Sequence, residues 1–242
     1  TFERVLLRVG HSIDDDIEDY LVPRFLDKTR VSDVDAALPC VQQEANRHLT
    51  GALVFLDIAR DLPEAPSDPV AHHVAVDALS REIRAYQAQL LHNPLSRDQL
   101  DLIASLIEEL DFTSALSESL YQIARRIKRA TFTKAARDVL AKGLDRLDQA
   151  VNRAFFTAQR PPESPLPVED VESLRWQALE NPDVQAGEKA ALIALLGSIT
   201  RAEGLIDQIM AERHSVDRSA IRAPDLHRNR DLPSANSMQP AQ

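Results

Sequence analysis

An all-α bundle is the fold class this sequence predicts, and three observations predict it. Apolar residues recur at helical steps of three and four along nearly the whole chain. Prolines gather mostly between those periodic stretches. Glycine is scarce: 6 in 242 residues, or about 2.5% against roughly 7% in ordinary proteins. No two glycines fall within six residues of each other. That excludes phosphate sites built on glycine loops, and collagen-like or propeller-like designs.

The elements follow in order. Val34, Leu38, Val41, Ala45, Leu49, Leu53 and Leu56 define a first helix over about 33–60, with Ser32 as N-cap and Pro39 near its first turn. A second spans about 70–91, with the stripe Val76, Leu79, Ile83, Tyr86, Leu90; His92-Asn93-Pro94 stops it. Ser96 and Gln99 form a capping box for the third. It carries Leu100 to Ile127 and ends in Arg125, Arg126, Lys128 and Arg129, cations suited to the negative end of the helix dipole. Thr133 caps a fourth, from Val139 to Phe155. Residues 161–167 hold four prolines in seven and form a stiff linker. A short fifth helix covers about 168–180, and Asn181-Pro182 breaks it. A sixth covers about 186–212. From His214 onward charges and prolines mix without period, which predicts a disordered tail over 214–242. A further helix is expected within Phe2–Tyr20, beside the acidic run Asp14–Asp16, Glu18, Asp19. Helices of 20 to 27 residues are about 30 to 40 Å long, which suits an elongated bundle.

Composition narrows the function classes. With 44% hydrophobic residues, the chain has enough apolar surface to fold. Its single cysteine, Cys40, excludes an internal disulfide framework and a multi-cysteine zinc site. A net charge of -10 argues against nucleic acid as a partner, because phosphate binding needs arrayed lysine and arginine. The longest apolar stretch, Ala190–Ile199, is interrupted by Gly197 and Ser198 and falls short of the roughly 20 residues of a spanning helix.

Some segments are more specific than a helical pattern. Pro23-Arg24-Phe25-Leu26-Asp27 is followed by Asp35-Ala36-Ala37-Leu38 and by Gln43-Glu44-Ala45-Asn46-Arg47. Together they resemble the start of the cytoplasmic C-terminal region of the bacterial sodium/phosphate cotransporter family, where such a segment leads from the last membrane span into a PhoU-like helical domain. Val76–Ile83 is similar to the second helix of that domain. The resemblance covers roughly residues 20–212. It implies two three-helix repeats, here 32–131 and 132–213, behind a membrane-proximal segment 1–31. It also implies an upstream transmembrane domain of the same protein as partner, a place on the cytoplasmic face of the membrane, and a regulatory, non-enzymatic role in sodium-dependent phosphate transport.

PhoU-like third helices carry a signature of the form Asn-Asp-x-Glu-Arg-Ile-Gly-Asp, whose acids can hold metal. In the first repeat Glu109 and Asp111 keep acids, while Ala115 stands at the last position. In the second, Glu203 and Asp207 match, while Arg201 stands at the first. The resemblance thus offers Glu109, Asp111, Glu203 and Asp207 as ligands for iron or zinc, and a metal-binding phosphate-signalling protein as an alternative. A stand-alone helical adaptor, acting as a homodimer, is a third reading.

Other candidates are weighed against plainer roles. Glu203 and Asp207 share a helix face, as do Glu44 with His48 and His73 with Asp77. The plainer reading of the last two pairs is an exposed hydrogen bond. Cys40 reads as a small buried residue, Trp176 as core, and Arg125–Arg137 as a solvated helix end rather than a lipid-headgroup site. No Gly-x-Ser-x-Gly elbow and no Glu-x-x-His pair occurs, so no catalytic residue is assigned.

Overall fold

The computed structural model describes residues 20–155, 169–216 and 218. Those residues form six α-helices and one 3-10 turn, with no strand among them. The 3-10 turn is Lys28–Arg30, and the helices are α1 (Val34–Ala59), α2 (Pro69–Leu90), α3 (Arg97–Arg129), α4 (Lys134–Phe155), α5 (Val171–Glu180) and α6 (Ala186–Ser215). The expected helix within Phe2–Tyr20, the proline linker 161–167 and the tail beyond 218 lie outside the described residues.

The helix ends follow from local chemistry. Ser96 Oγ accepts from Gln99 N–H at 3.2 Å while Gln99 Oε1 accepts from Ser96 N–H at 2.9 Å, so the capping box forms as the sequence implies. Thr133 Oγ1 accepts from Ala136 N–H at 3.3 Å and starts α4. At α1 the cap is Asp33 rather than Ser32. The Asp33 carboxylate reaches Ala36 N–H at 3.2 Å, which places an anion at the positive end of the helix dipole. Asp68 caps α2, and Pro69 becomes its first residue instead of ending the preceding loop. The fifth helix opens at Val171, later than expected, after Asp170.

Helix α3 is the backbone of the molecule. At 33 residues it is about 50 Å long, and it packs against α1, α2 and α6. α1 and α3 run the same way, since Asp35 meets Gln99 near their starts and Asp61 meets Lys128 near their ends. α6 opposes α3, with Arg213 on Glu109 at one end and Ser198 on Arg126 toward the other. α4 runs with α6, from Thr133–Glu188 to Arg146–Glu203. Gly143 allows α4 to lie close to α6, because a Cβ there would come within 3.0 Å of Ile199 Cδ1 and 3.1 Å of Leu196 Cδ2.

The core has two parts. One lies between the N-terminal half of α1, α2 and the N-terminal half of α3, around Leu38, Ile83 and Leu106. The other joins the C-terminal halves of α1 and α3 to α4, α5 and α6, around Phe55, Leu120 and Ile199. Burial of this kind is worth about 25 cal/mol per Å² of apolar surface, so the second part binds the two halves of the chain into one unit.

Trp176 departs from its expected place. It is 60% exposed on α5, which buries only Val171, Leu174 and Ala178. In a short helix one narrow stripe faces inward, and position 176 lies off it. Among the described residues no helix is long and apolar enough to cross a membrane.

Candidate functional site

A dense polar construction lies on the middle of α1, from Gln42 to Arg47. Glu44 is 0% exposed. A buried carboxylate is costly unless it is paired and hydrogen-bonded, and Glu44 is both. Its Oε2 accepts from the backbone N–H groups of Arg24 at 2.8 Å and Phe25 at 2.7 Å. Its Oε1 lies 2.9 Å from Arg47 Nη1, and Arg47 Nη2 donates to the Val22 carbonyl at 2.7 Å. One ion pair on α1 therefore clasps the backbone of the incoming chain at Val22, Arg24 and Phe25.

The incoming chain is held at two further points. Tyr20 lies under the Arg47 guanidinium, 5.8 Å from the ring centre, and stacks edge-on against His72 at 5.4 Å. Gly51 makes this seat possible, since a Cβ there would come within 2.8 Å of the Tyr20 ring. Farther on, Tyr86 Oη donates to the Asp27 carbonyl at 2.8 Å, and burial pushes that phenol's pKa up.

The outgoing chain reaches the same stretch of α1. Arg213, in the last turn of α6, places Nε 2.8 Å and Nη2 2.7 Å from Glu109 Oε1. Its Nη2 also donates to Asn46 Oδ1 at 2.8 Å. Arg218 pairs with the other oxygen of Glu109. It also donates to Gln42 Oε1 and to Ser105 Oγ, each at 2.8 Å. Glu109 is only 1% exposed. Both arginines bridge it to α1, and this extends the ordered chain: α6 passes Glu212 and runs to Ser215, so residues 214–216 and 218 are not part of a featureless tail.

The four acids offered as metal ligands do not gather into one cluster. Glu109 faces Arg213 and Arg218, while Asp111, two residues on, points elsewhere and pairs with Arg84. Glu203 lies 2.7 Å from Arg146, and Asp207 is exposed. Arginine, not a neighbouring acid, answers three of the four charges. Among the described residues no three His, Cys, Asp or Glu side chains group in a way that could hold a metal ion.

The paired spacings also resolve differently from expectation. Glu44 and His48 are both buried rather than exposed, and Glu44 turns to the incoming chain. His73 stacks flat on Tyr121, with ring centres 4.2 Å apart, while Asp77 pairs with Arg81. Burial lowers the His48 pKa to about 4, with the Arg84 charge adding to the effect and Asp77 opposing it. Cys40 is half-buried, and its Sγ lies 3.5 Å from the Ala36 carbonyl. Of the basic run, Lys128 pairs with Asp61, Lys134 with Asp138, and Arg126 bonds Ser198.

Asn46 and Arg47 belong to the motif that carries the family resemblance, and the structure gives them work. Gln42, Arg213 and Arg218 carried no signal in the sequence, because their partners are far along the chain. The chain matches no family model, no curated protein and no solved structure.

Proposed function

We propose that this chain is the regulatory, non-enzymatic cytoplasmic domain of a sodium-dependent inorganic phosphate transporter, PhoU-like in its two three-helix halves. One observation carries the reading. Two stretches of the resemblance, Pro23–Asp27 and Gln43–Arg47, meet in space, where Glu44 receives the Arg24 and Phe25 N–H groups. A segment arriving from a membrane half would thus be fixed to the first helix of the bundle. Any shift of that segment would act on α1 directly.

The packing supports the reading as well. α1, α2 and α3 pack on one another, as do α4, α5 and α6, and α3 meets α6. Phosphate and sodium binding belong, in this reading, to the membrane half. The bundle's part is to bias the transport cycle through its grip on the incoming segment. No nucleophile with an adjacent base stands in the described site, and the clasp consists of groups that hold backbone.

Reconstitution of the full-length gene product into vesicles tests this. A sodium gradient is expected to drive uptake of radiolabelled phosphate. Glu44→Gln, which weakens the clasp, is expected to change the uptake rate at least threefold. Absence of sodium-driven phosphate uptake, or a gene encoding no membrane spans ahead of Thr1, would overturn the proposal.

A further inference from the structure

The clasp on the incoming chain and the arginine pair on the outgoing chain share one short piece of α1. Glu44 and Arg47 serve the first; Gln42 and Asn46 serve the second. These positions lie within one and a half helical turns, about 8 Å along the axis. Gln42 Nε2 also donates toward Asn46 Oδ1 at 3.4 Å, so the two acceptors on the outgoing side are linked.

We infer that Arg213 and Arg218 form a latch on Glu109 whose closure stabilises the grip of Glu44 on Arg24 and Phe25, so that the two ends of the domain are energetically coupled through α1. The inference stands whether or not a membrane half precedes the chain. Its basis is the cost of half-release. Glu109 is buried, and removing one partner of a buried ion pair leaves an uncompensated charge, a penalty that favours all-or-none opening. When the arginines leave, Asn46 loses a charged donor, Gln42 loses another, and Glu109 must find water by moving α3 away from α1 and α6. α1 then loses packing on the side opposite the clasp. Coupling of this kind is reciprocal: whatever displaces the incoming segment also loosens the latch. A partner that captured the Arg213–Arg218 segment would act on the incoming chain without touching it.

Amide hydrogen exchange on the full chain, read residue by residue, tests the coupling. In the Arg213→Ala/Arg218→Ala variant the Arg24 and Phe25 amides are expected to exchange at least tenfold faster. Amides in the middle of α4, such as those of Leu140 and Leu144, are expected to change less than twofold. Should that variant fail to fold, Asn46→Ala keeps both ion pairs on Glu109 and removes one contact to α1; it is expected to speed Arg24 and Phe25 exchange at least threefold. The reciprocal variant, Glu44→Gln, is expected to speed exchange of the Arg213 and His214 amides. Unchanged Arg24 and Phe25 rates in the latch variants would overturn the inference. So would acceleration spread evenly over α4, because that reports loss of stability everywhere rather than a link between two sites.

Discussion

His48 shows how burial turns an ordinary side chain into a pH-dependent one. It lies on α1 with only 1% of its surface exposed, and its Nδ1 has no hydrogen-bond partner among the described residues. Its pKa falls from 6.5 to about 4, chiefly by desolvation. The sign of the consequence follows from proton counting. Between pH 6.5 and 4 the unfolded chain binds a proton at this position and the folded chain does not. Stability from His48 is therefore complete above pH 6.5 and is lost as pH falls toward 4. At pH 5 the loss relative to pH 7 is about 2 kcal/mol. Urea unfolding of the wild type and of His48→Leu at both pH values measures it, and the variant is expected to lose about 2 kcal/mol less on acidification. At this same scale the sequence is a poor guide to environment. Spacing alone put Glu44 and His48 on one helix face, which is correct, but left them exposed. Spacing says who shares a face; only packing says whether the face looks inward. The same gap misplaced Trp176, whose size favours burial in general but whose position on α5 denies it.

At the scale of the element, two helix starts were legible in the sequence. Ser96 with Gln99 and Thr133 each act locally, over three residues, so sequence suffices to find them. The C-terminus of α1 is less obvious. There the Leu62 N–H bonds the Asp57 carbonyl at 3.2 Å and the Asp61 N–H bonds the Ile58 carbonyl at 3.1 Å, the pattern of a Schellman motif. Asp61 stands at the left-handed position, with φ of 55°, where glycine is usual. Its carboxylate pairs with Lys128, which lowers its pKa, but the group is fully exposed and the pair contributes little. Asp61→Gly is expected to relieve about 1 kcal/mol of backbone strain. In a chain of this size that raises Tm by about 2–4 °C, as calorimetry would show; a lower Tm would mean the Lys128 contact outweighs the strain.

For the whole molecule, helix count and order were readable because periodicity is a local property repeated many times. The assembly was not. Glu109 meets Arg213 and Arg218 across 104 and 109 residues of chain, and no local pattern encodes such a meeting. Three of the four acids offered by the metal signature, Glu109, Asp111 and Glu203, are in space answered by arginines from other parts of the chain. α3 ends at Arg129 and α4 begins at Lys134, but the core runs across that join, since Phe55 and Leu120 share one cluster with Ile199. α1 carries contacts from both ends of the described chain.

The direct measure of that arrangement is the exchange of the Arg24 and Phe25 amides in the unmodified protein, followed by NMR. Docking on Glu44 is expected to slow both at least a hundredfold relative to an unstructured peptide. Glu44→Gln is expected to remove most of that protection and to lower global stability by about 2–3 kcal/mol, the usual weight of hydrogen bonds to a charged group. Arg24 and Phe25 amides that exchange in the wild type as fast as in a free peptide would contradict the clasp, and with it the coupling and the regulatory role built on it.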